Sequence, residues 1–211
     1  VTLAGLTFEE AENLIRKKVS SGLIGTEVVI SLSELRSISV YLLGEAYKPG
    51  SYTISSLSTL TNLLFVSGGV SENGSVRNIE VKRSGKTVHK FDLYNLILKG
   101  DTTSDFRLQD GDAIFIPLLE KAARADGSFR RPSLFELSDG DTVEDLIFYA
   151  GGLKTSISDG SYLSLNTVDN KTDTRSIQTI NPDNEQDIKR NLIDGDILNA
   201  REVSALKAGS I

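Results

Sequence analysis

Apolar residues along this chain switch between two periods, the strict alternation of a half-buried strand and the i, i+3, i+4 spacing of a helix. Ile38–Leu43 form a β-rich apolar run ending at Gly44. Lys48-Pro49-Gly50 is then a turn, because proline presets φ and glycine accepts a positive one, and Ser51–Ile54 return as a second strand. Leu60, Leu63 and Leu64 make one helical stripe that stops at Gly68-Gly69, where a left-handed residue is cheapest. Asn78–Arg83 and Thr87–Leu93 alternate on either side of Ser84-Gly85, a hairpin signal. Leu93–Leu98 predict a further short helix, Asp110-Gly111-Asp112 a turn, and Ala113–Pro117 a closing strand.

The whole grammar then recurs. Residues 59–70, TLTNLLFVSGGV, are echoed by residues 142–153, TVEDLIFYAGGL. Gly44 falls on Gly127, Lys48 on Arg131, Pro49 on Pro132 and Tyr52 on Phe135, while Asp110-Gly111-Asp112 falls on Asp194-Gly195-Asp196 and Gly74-Ser75 on Gly160-Ser161. The second helical stripe is Val143, Leu146 and Ile147, stopping at Gly151-Gly152, and Asp141 with Glu144 is spaced as its capping box. Strand pair, helix, strand pair and closing strand describe a small mixed sheet wrapped around one helix. The fold class is therefore α+β, a tandem β-grasp.

A shorter leader precedes the repeats. Thr7 and Glu10 are spaced as a capping box, Phe8, Ala11, Ile15 and Val19 follow one helical face, and Glu27–Leu32 reads as a strand. A helix and a strand in under 40 residues are too little for a separate core. The predicted organisation is a leader over 1–39, a first repeat over 40–120, a second, diverged repeat over 121–203, and a tail or the opening of a further segment over 204–211.

Composition removes several function classes. Hydrophobic residues make up 39% and charged residues 25%, ordinary values for a packed globular chain. The net charge of −6 argues against a nucleic-acid partner, which needs a basic footprint. Cysteine is absent, so there is neither a disulfide framework nor a thiolate metal site. No apolar run reaches the roughly 18 residues of a membrane span. A chain that begins at Val1 and holds no methionine reads as a segment of a longer protein.

The strings VYLLGEAYKPGSYTI, TLTNLLFVSGGV and RLQDGDAIFIP together resemble an SLBB (soluble ligand-binding β-grasp) domain of the outer-membrane polysaccharide export, Wza-like, family. The leader AGLTFEEAENLIRKKV…TEVVISL resembles the C-terminal end of that family's export domain. The second repeat departs from the pattern at Ser133, where glycine is expected after the proline. The resemblance implies a periplasmic location, a parent anchored at the outer membrane, and ring oligomers of the full-length protein. It implies a channel wall for capsule or exopolysaccharide, with the polysaccharide and an inner-membrane polysaccharide co-polymerase as partners. It implies neither catalysis nor a cofactor.

Several motifs compete with that reading. Ser84-Gly85-Lys86-Thr87 ends like a phosphate-binding loop, but Glu80 stands where such a loop needs glycine, so a hairpin turn is expected. The Asp-Gly-Asp units at 110–112, 139–141 and 194–196 offer too few oxygens for calcium and read as turns. Asp183–Asp187 reads as a solvated acidic loop, and His89, the sole histidine, as a packing or surface residue. No nucleophile elbow is present, and catalytic and metal residues are assigned to none. A glycosidase would need two carboxylates facing each other across a cleft. Tyr41, Tyr47, Tyr52 and Phe65 cluster about the first hairpin and helix, where aromatics fill cores or stack on sugars. Arg77, Lys82 and Arg83 can meet anionic sugars or form a solvated strand face. The candidate saccharide contacts are thus Tyr47, Tyr52, Arg77 and Arg83. The alternative to a channel wall is a soluble saccharide-binding or small-ligand module with a groove near Tyr47.

Overall fold

A computed structural model describes residues 3, 6–22, 28–31, 36–154, 163–169 and 174–201. The predicted pairing of Gly74-Ser75 with Gly160-Ser161 and the expected tail at 204–211 lie, for Gly160-Ser161 and the tail, outside the described residues. The chain divides into two units, Val1–Arg36 and Ser37–Ile211.

In the first unit, helix α1 (Phe8–Gly22) opens on the expected capping box. The Thr7 backbone N–H donates to Glu10 Oε2 at 2.8 Å, and the Glu10 N–H donates back to Thr7 Oγ1 at 3.3 Å. The bonds its carboxylate accepts from the Thr7 backbone N–H and hydroxyl hold the Glu10 carboxyl below its ordinary pKa. The leader strand is corrected: Val28–Ser31 belong to no strand, while Glu27 and Leu32 lie outside the described residues. Among the described residues of this unit, Val28 instead offers its carbonyl to Arg16 Nη1 at 2.8 Å.

The second unit holds two copies of one fold. In repeat one, β1 (Ser37–Gly44) pairs antiparallel with β2 (Gly50–Ser55) and parallel with β5 (Ala113–Ile116). The strand β3 (Ile79–Arg83) joins β5 to β4 (Lys86–Phe91), giving the order β2-β1-β5-β3-β4. Helices α2 (Leu60–Ser67) and α3 (Leu93–Lys99) complete it. Repeat two has β6 (Ala122–Gly127), β7 (Ser133–Glu136), α4 (Val143–Tyr149), β8 (Leu163–Asp169), β9 (Thr174–Ile180), α5 (Glu185–Ile188) and β10 (Ile197–Ala200). Its sheet order, β7-β6-β10-β8-β9, is the same arrangement.

Each sheet buries one face on its helix. Val40, Leu42, Leu63, Ile79, Val81, Ile114 and Ile116 form the first core; Ala123, Ala125, Leu146, Leu163, Leu165 and Leu198 form the second. The helix caps differ from expectation in one place. In α4 the capping box is Thr142 with Asp145, one residue later than Asp141 with Glu144, because Asp141 is engaged elsewhere. The acidic stretch is also corrected: Asn184 caps the short helix α5, so Glu185–Ile188 are helical rather than loop.

Two glycines show how closely the copies agree. Gly44 and Gly127 end the first strand of each repeat at φ of 77° and 82°. A Cβ on Gly44 would lie 2.1 Å from the Ile116 carbonyl oxygen, and one on Gly127 would lie 2.2 Å from that of Ala200. Only glycine permits this approach, through which Glu45 and Ser128 each donate a backbone bond of 2.8 Å to that same carbonyl.

The Asp-Gly-Asp units are built turns. Asp110 accepts from the Ser39 N–H and Asp194 from the Ala122 N–H, each at 2.8 Å, tying the turn to the opening strand of its repeat. The last aspartate closes its own loop: Asp112 accepts from Gln109, Asp141 from Ser138 and Asp196 from Ile193. The Ser84-Gly85 hairpin has φ of 50° and 77°, the signature of a two-residue type I′ turn.

Candidate functional site

The four candidate saccharide contacts do not converge. Tyr47 is 62% exposed and lies against the helix stop; a Cβ on Gly68 would come within 2.6 Å of its ring. Tyr52 is half-buried against the first core, and its hydroxyl donates to the Lys48 carbonyl at 2.6 Å, bracing the Pro49-Gly50 turn. Arg83 ends β3 and forks onto Asp112 at 2.7 and 2.8 Å. That bond holds its guanidinium above the ordinary range. Arg77 precedes β3, so six residues of extended chain, roughly 20 Å, separate the two arginines.

Arg77 instead builds the junction between the repeats. Its Nε donates to Asp92 at 3.1 Å within repeat one, while Nη1 donates to Asp141 of repeat two at 2.5 Å and to the Tyr149 hydroxyl at 3.3 Å. The guanidinium lies 4.9 Å from the Tyr94 ring and 5.3 Å from the Tyr149 ring. Its side chain is 10% exposed. Burial works against the charge, but Asp92, Tyr149 and Asp141 outweigh it and raise the Arg77 pKa. Burial pushes the Tyr149 phenol up to about 12. Both groups therefore keep their protonated forms across the physiological range.

Glu136 supplies the second half of the junction. Its carboxylate, in repeat two, accepts from Ser75 Oγ and from the backbone N–H groups of Val76 and Arg77. Its own N–H donates to the Tyr94 hydroxyl at 3.0 Å. Tyr94 reaches out of α3 into the second core, meeting Tyr149 edge-on at 5.2 Å, with Val76 and Leu98 packed beside it. A buried carboxylate is tolerated here because backbone and side-chain donors of the other repeat satisfy it. The linker is strapped down as well: Ser75 donates to the Pro117 carbonyl and Leu119 to that of Asn73, each at 2.8 Å.

Sequence reasoning missed this seam. The signal lay in where the copies disagree. By strand and helix register, Glu136 stands where repeat one has Thr53, and Tyr149 where it has Val66, which is 71% exposed. Positions that are polar or open in one copy and acidic or aromatic in the other mark the contact.

Beside the seam, a cleft of about 370 Å³ opens between the repeats. Asn78, Glu80, Lys90 and Phe115 form its repeat-one side; Lys121, Ser138 and Asp139 form its repeat-two side. Lys121 and Asp139 pair at 2.6 Å, a bond that raises the lysine pKa and lowers that of the aspartate. Glu80 takes Lys82 at 3.1 Å and Lys90 at 3.9 Å. Of the carboxylates lining this cleft, Glu80, Glu136 and Asp139 are thus acceptors in pairs and networks. Among the described residues no group of three or more acidic or histidine side chains is arranged to hold a metal, and no helix is long and apolar enough to cross a membrane.

Residues 39–116 match the SLBB domain family. Two curated relatives, both polysialic acid transport protein KpsD of Escherichia coli, are each 30% identical over 118 residues, covering 55% of this chain and 21% of the relative. The chain therefore spans about a fifth of the length of the curated relatives it matches. With its tandem β-grasp sheets and a match over residues 39–116, the chain carries an SLBB domain, and over 118 residues it is similar to polysialic acid transport proteins.

Proposed function

We propose that this chain is a periplasmic, non-catalytic segment of a polysaccharide export protein and forms part of the wall of an oligomeric channel for capsule or exopolysaccharide. The observation that carries the reading is the Arg77–Glu136 seam, which locks two SLBB-type repeats into one unit. A wall surrounding a moving polymer must hold its modules at fixed angles. An ordinary inter-domain contact allows relative motion unless it is large and apolar. Here a buried ion pair, a buried carboxylate held by backbone donors, aromatic packing and a strapped linker join the repeats.

The relatives are polysialic acid transport proteins, and transport of an acidic surface polymer is the corresponding role for this chain. The full-length parent assembles as a ring of copies at the outer membrane and faces an inner-membrane polysaccharide co-polymerase. Heterologous contacts that close by rotation build such a ring from one repeated surface.

The test is complementation. Cells lacking the parent protein are supplied with the wild-type parent or with the Arg77→Met parent, and surface polysaccharide is quantified while the parent's oligomeric state is read by native mass spectrometry. Wild type is expected to restore surface polymer as an oligomer, with the variant restoring clearly less. A monomeric parent, or polymer output indifferent to the parent's presence, would overturn the reading.

A further inference from the structure

We propose that the outer face of the repeat-one sheet, from Tyr41 through Phe115 into the cleft at the repeat junction, is a saccharide-contact surface. The inference rests on the export reading and adds to it a place and a ligand class.

The outer positions of a sheet with one buried face are normally polar. In repeat one, Val40 and Leu42 point into the core, so Tyr41 and Leu43 point outward, 48% and 43% exposed. The register sets Tyr41 against Ala113 and Leu43 against Phe115, which places Phe115 on the same outer face. Glu80 lies opposite Phe115 and Lys82 opposite Ala113 on β3. The Lys82 ammonium stands 4.7 Å from the Phe115 ring centroid. Tyr41, Leu43 and Phe115 thus form an open row with charged residues along one side.

Repeat two serves as an internal comparison. Its registers put Arg124 at the place of Tyr41, Asp126 at that of Leu43 and Asn199 at that of Phe115. Ile197 and Leu134 keep some apolar surface there, but both aromatic positions are polar. The fold is the same in both copies, so stability of the β-grasp does not require Tyr41 and Phe115 on this face.

The chemistry selects the ligand. A sugar ring offers an apolar C–H face to an aromatic side chain and hydroxyls to its rim. Here the row runs into a cleft where Asn78, Lys90, Lys121, Ser138 and Asp139 supply amide, ammonium, hydroxyl and carboxylate groups. Its volume is on the scale of a small-ligand site. The core of a protein–protein interface, by contrast, is depleted of Lys, Glu and Asp. Lys82, Lys90 and Lys121 are held by exposed or half-exposed ion pairs, which contribute little and exchange readily for a sugar carboxylate.

The test is an amide NMR titration of the full 211-residue chain with a sialic acid oligomer and, separately, a neutral glucose oligomer. Saturable shifts are expected at Leu42–Gly44, Ile114–Ile116 and Asn78. Phe115→Ser is expected to weaken the response at least tenfold, and Lys90→Glu to weaken the acidic more than the neutral oligomer. Arg124→Ala and Asn199→Ala in repeat two are expected to leave it unchanged. Thermal unfolding of each variant verifies that the fold persists. Shifts with neither oligomer, shifts confined to the Tyr47 loop, or an unaltered response in a folded Phe115→Ser chain would overturn the proposal. Broadening of the same residues that grows with protein concentration in the absence of sugar would assign the face to self-association, and would overturn it too. These outcomes are separate from the complementation assay: a silent titration with intact export removes the site alone, and a saturable one with export unaffected removes the export reading alone.

Discussion

Arg77 of repeat one and Asp141 of repeat two are paired across the junction with side chains 10% and 12% exposed, so the bond that joins the two β-grasp copies is itself nearly dry. Removing one partner of a buried pair leaves the other charged and unsolvated, at a cost of about 3–5 kcal/mol. Arg77→Met is expected to lower stability by about that amount and to uncouple the copies. Calorimetry should show one transition for the second unit in the wild type and two in the variant, with new protease cleavage in the linker at 117–121. Asp141→Asn should cost less, because an asparagine can still accept from the Ser138 N–H. A single unshifted transition in Arg77→Met would remove the seam from the account.

Most of the fold is legible in the sequence. Leu63 and Leu146, paired by the internal repeat, occupy fully buried seats in α2 and α4, and the hairpins, glycine stops and closing strands stand where the periodicity put them. Such features are local, since a turn residue or an apolar stripe carries its own signal. The seam was not legible. Arg77 is 59 residues from Glu136 and 72 from Tyr149 in the chain and meets them only through packing, so it read as a saccharide contact or a solvated strand-face residue. The same applies to the row of Tyr41, Leu43 and Phe115, which exists only once β1 and β5 pair in parallel. The cap of α4 was misplaced by one residue because Asp141 serves its own turn and Arg77 rather than the helix.

Gly44 and Gly111 separate two costs of substituting glycine. Both have positive φ, at 77° and 80°, but a Cβ on Gly44 strikes the Ile116 carbonyl whereas one on Gly111 meets nothing within 4 Å. Gly111→Ala should therefore cost only the left-handed strain, about 1–2 kcal/mol. Gly44→Ala must also push apart β1 and β5 and should cost clearly more, with Gly127→Ala behaving alike in repeat two. Urea unfolding of the three variants checks this; equal losses at Gly44 and Gly111 would refute the close-approach argument.

Ser84 is the one non-glycine with positive φ among the described residues, at the first central position of the β3–β4 turn. Asparagine is far better suited than serine to that seat in a type I′ turn. Ser84→Asn is expected to stabilise repeat one by about 0.5–1 kcal/mol, on the scale of other compatible turn substitutions. A shift of the urea midpoint to higher concentration without a change in slope is the expected readout.

Asp196 is the repeat-two counterpart of Asp112, with one partner missing. Register places Thr167 where repeat one has Arg83, so the arginine fork onto Asp112 has no equivalent. Asp196 is 2% exposed, it accepts from the Ile193 N–H at 2.9 Å, and its Oδ1 has no hydrogen-bond partner among the described residues. Burial raises its pKa, and the Ile193 N–H, Thr167 and Arg190 offset this only in part, with Asp194 adding to the rise. A raised carboxyl pKa means that the folded state holds the proton longer than the unfolded one. Its stabilising contribution is thus complete below the unfolded value, about 3.9, and is lost as pH rises from there through the folded value. Asp196→Asn removes this dependence and should make repeat two more stable than wild type at neutral pH, by about 1–3 kcal/mol if the unpaired oxygen carries its full desolvation cost. Thr167→Arg, which restores the missing fork, should reverse the shift and flatten the same part of the curve. Urea midpoints of the three chains from pH 3.5 to 8 decide the matter: parallel curves for wild type and Asp196→Asn would show that this carboxylate is satisfied after all.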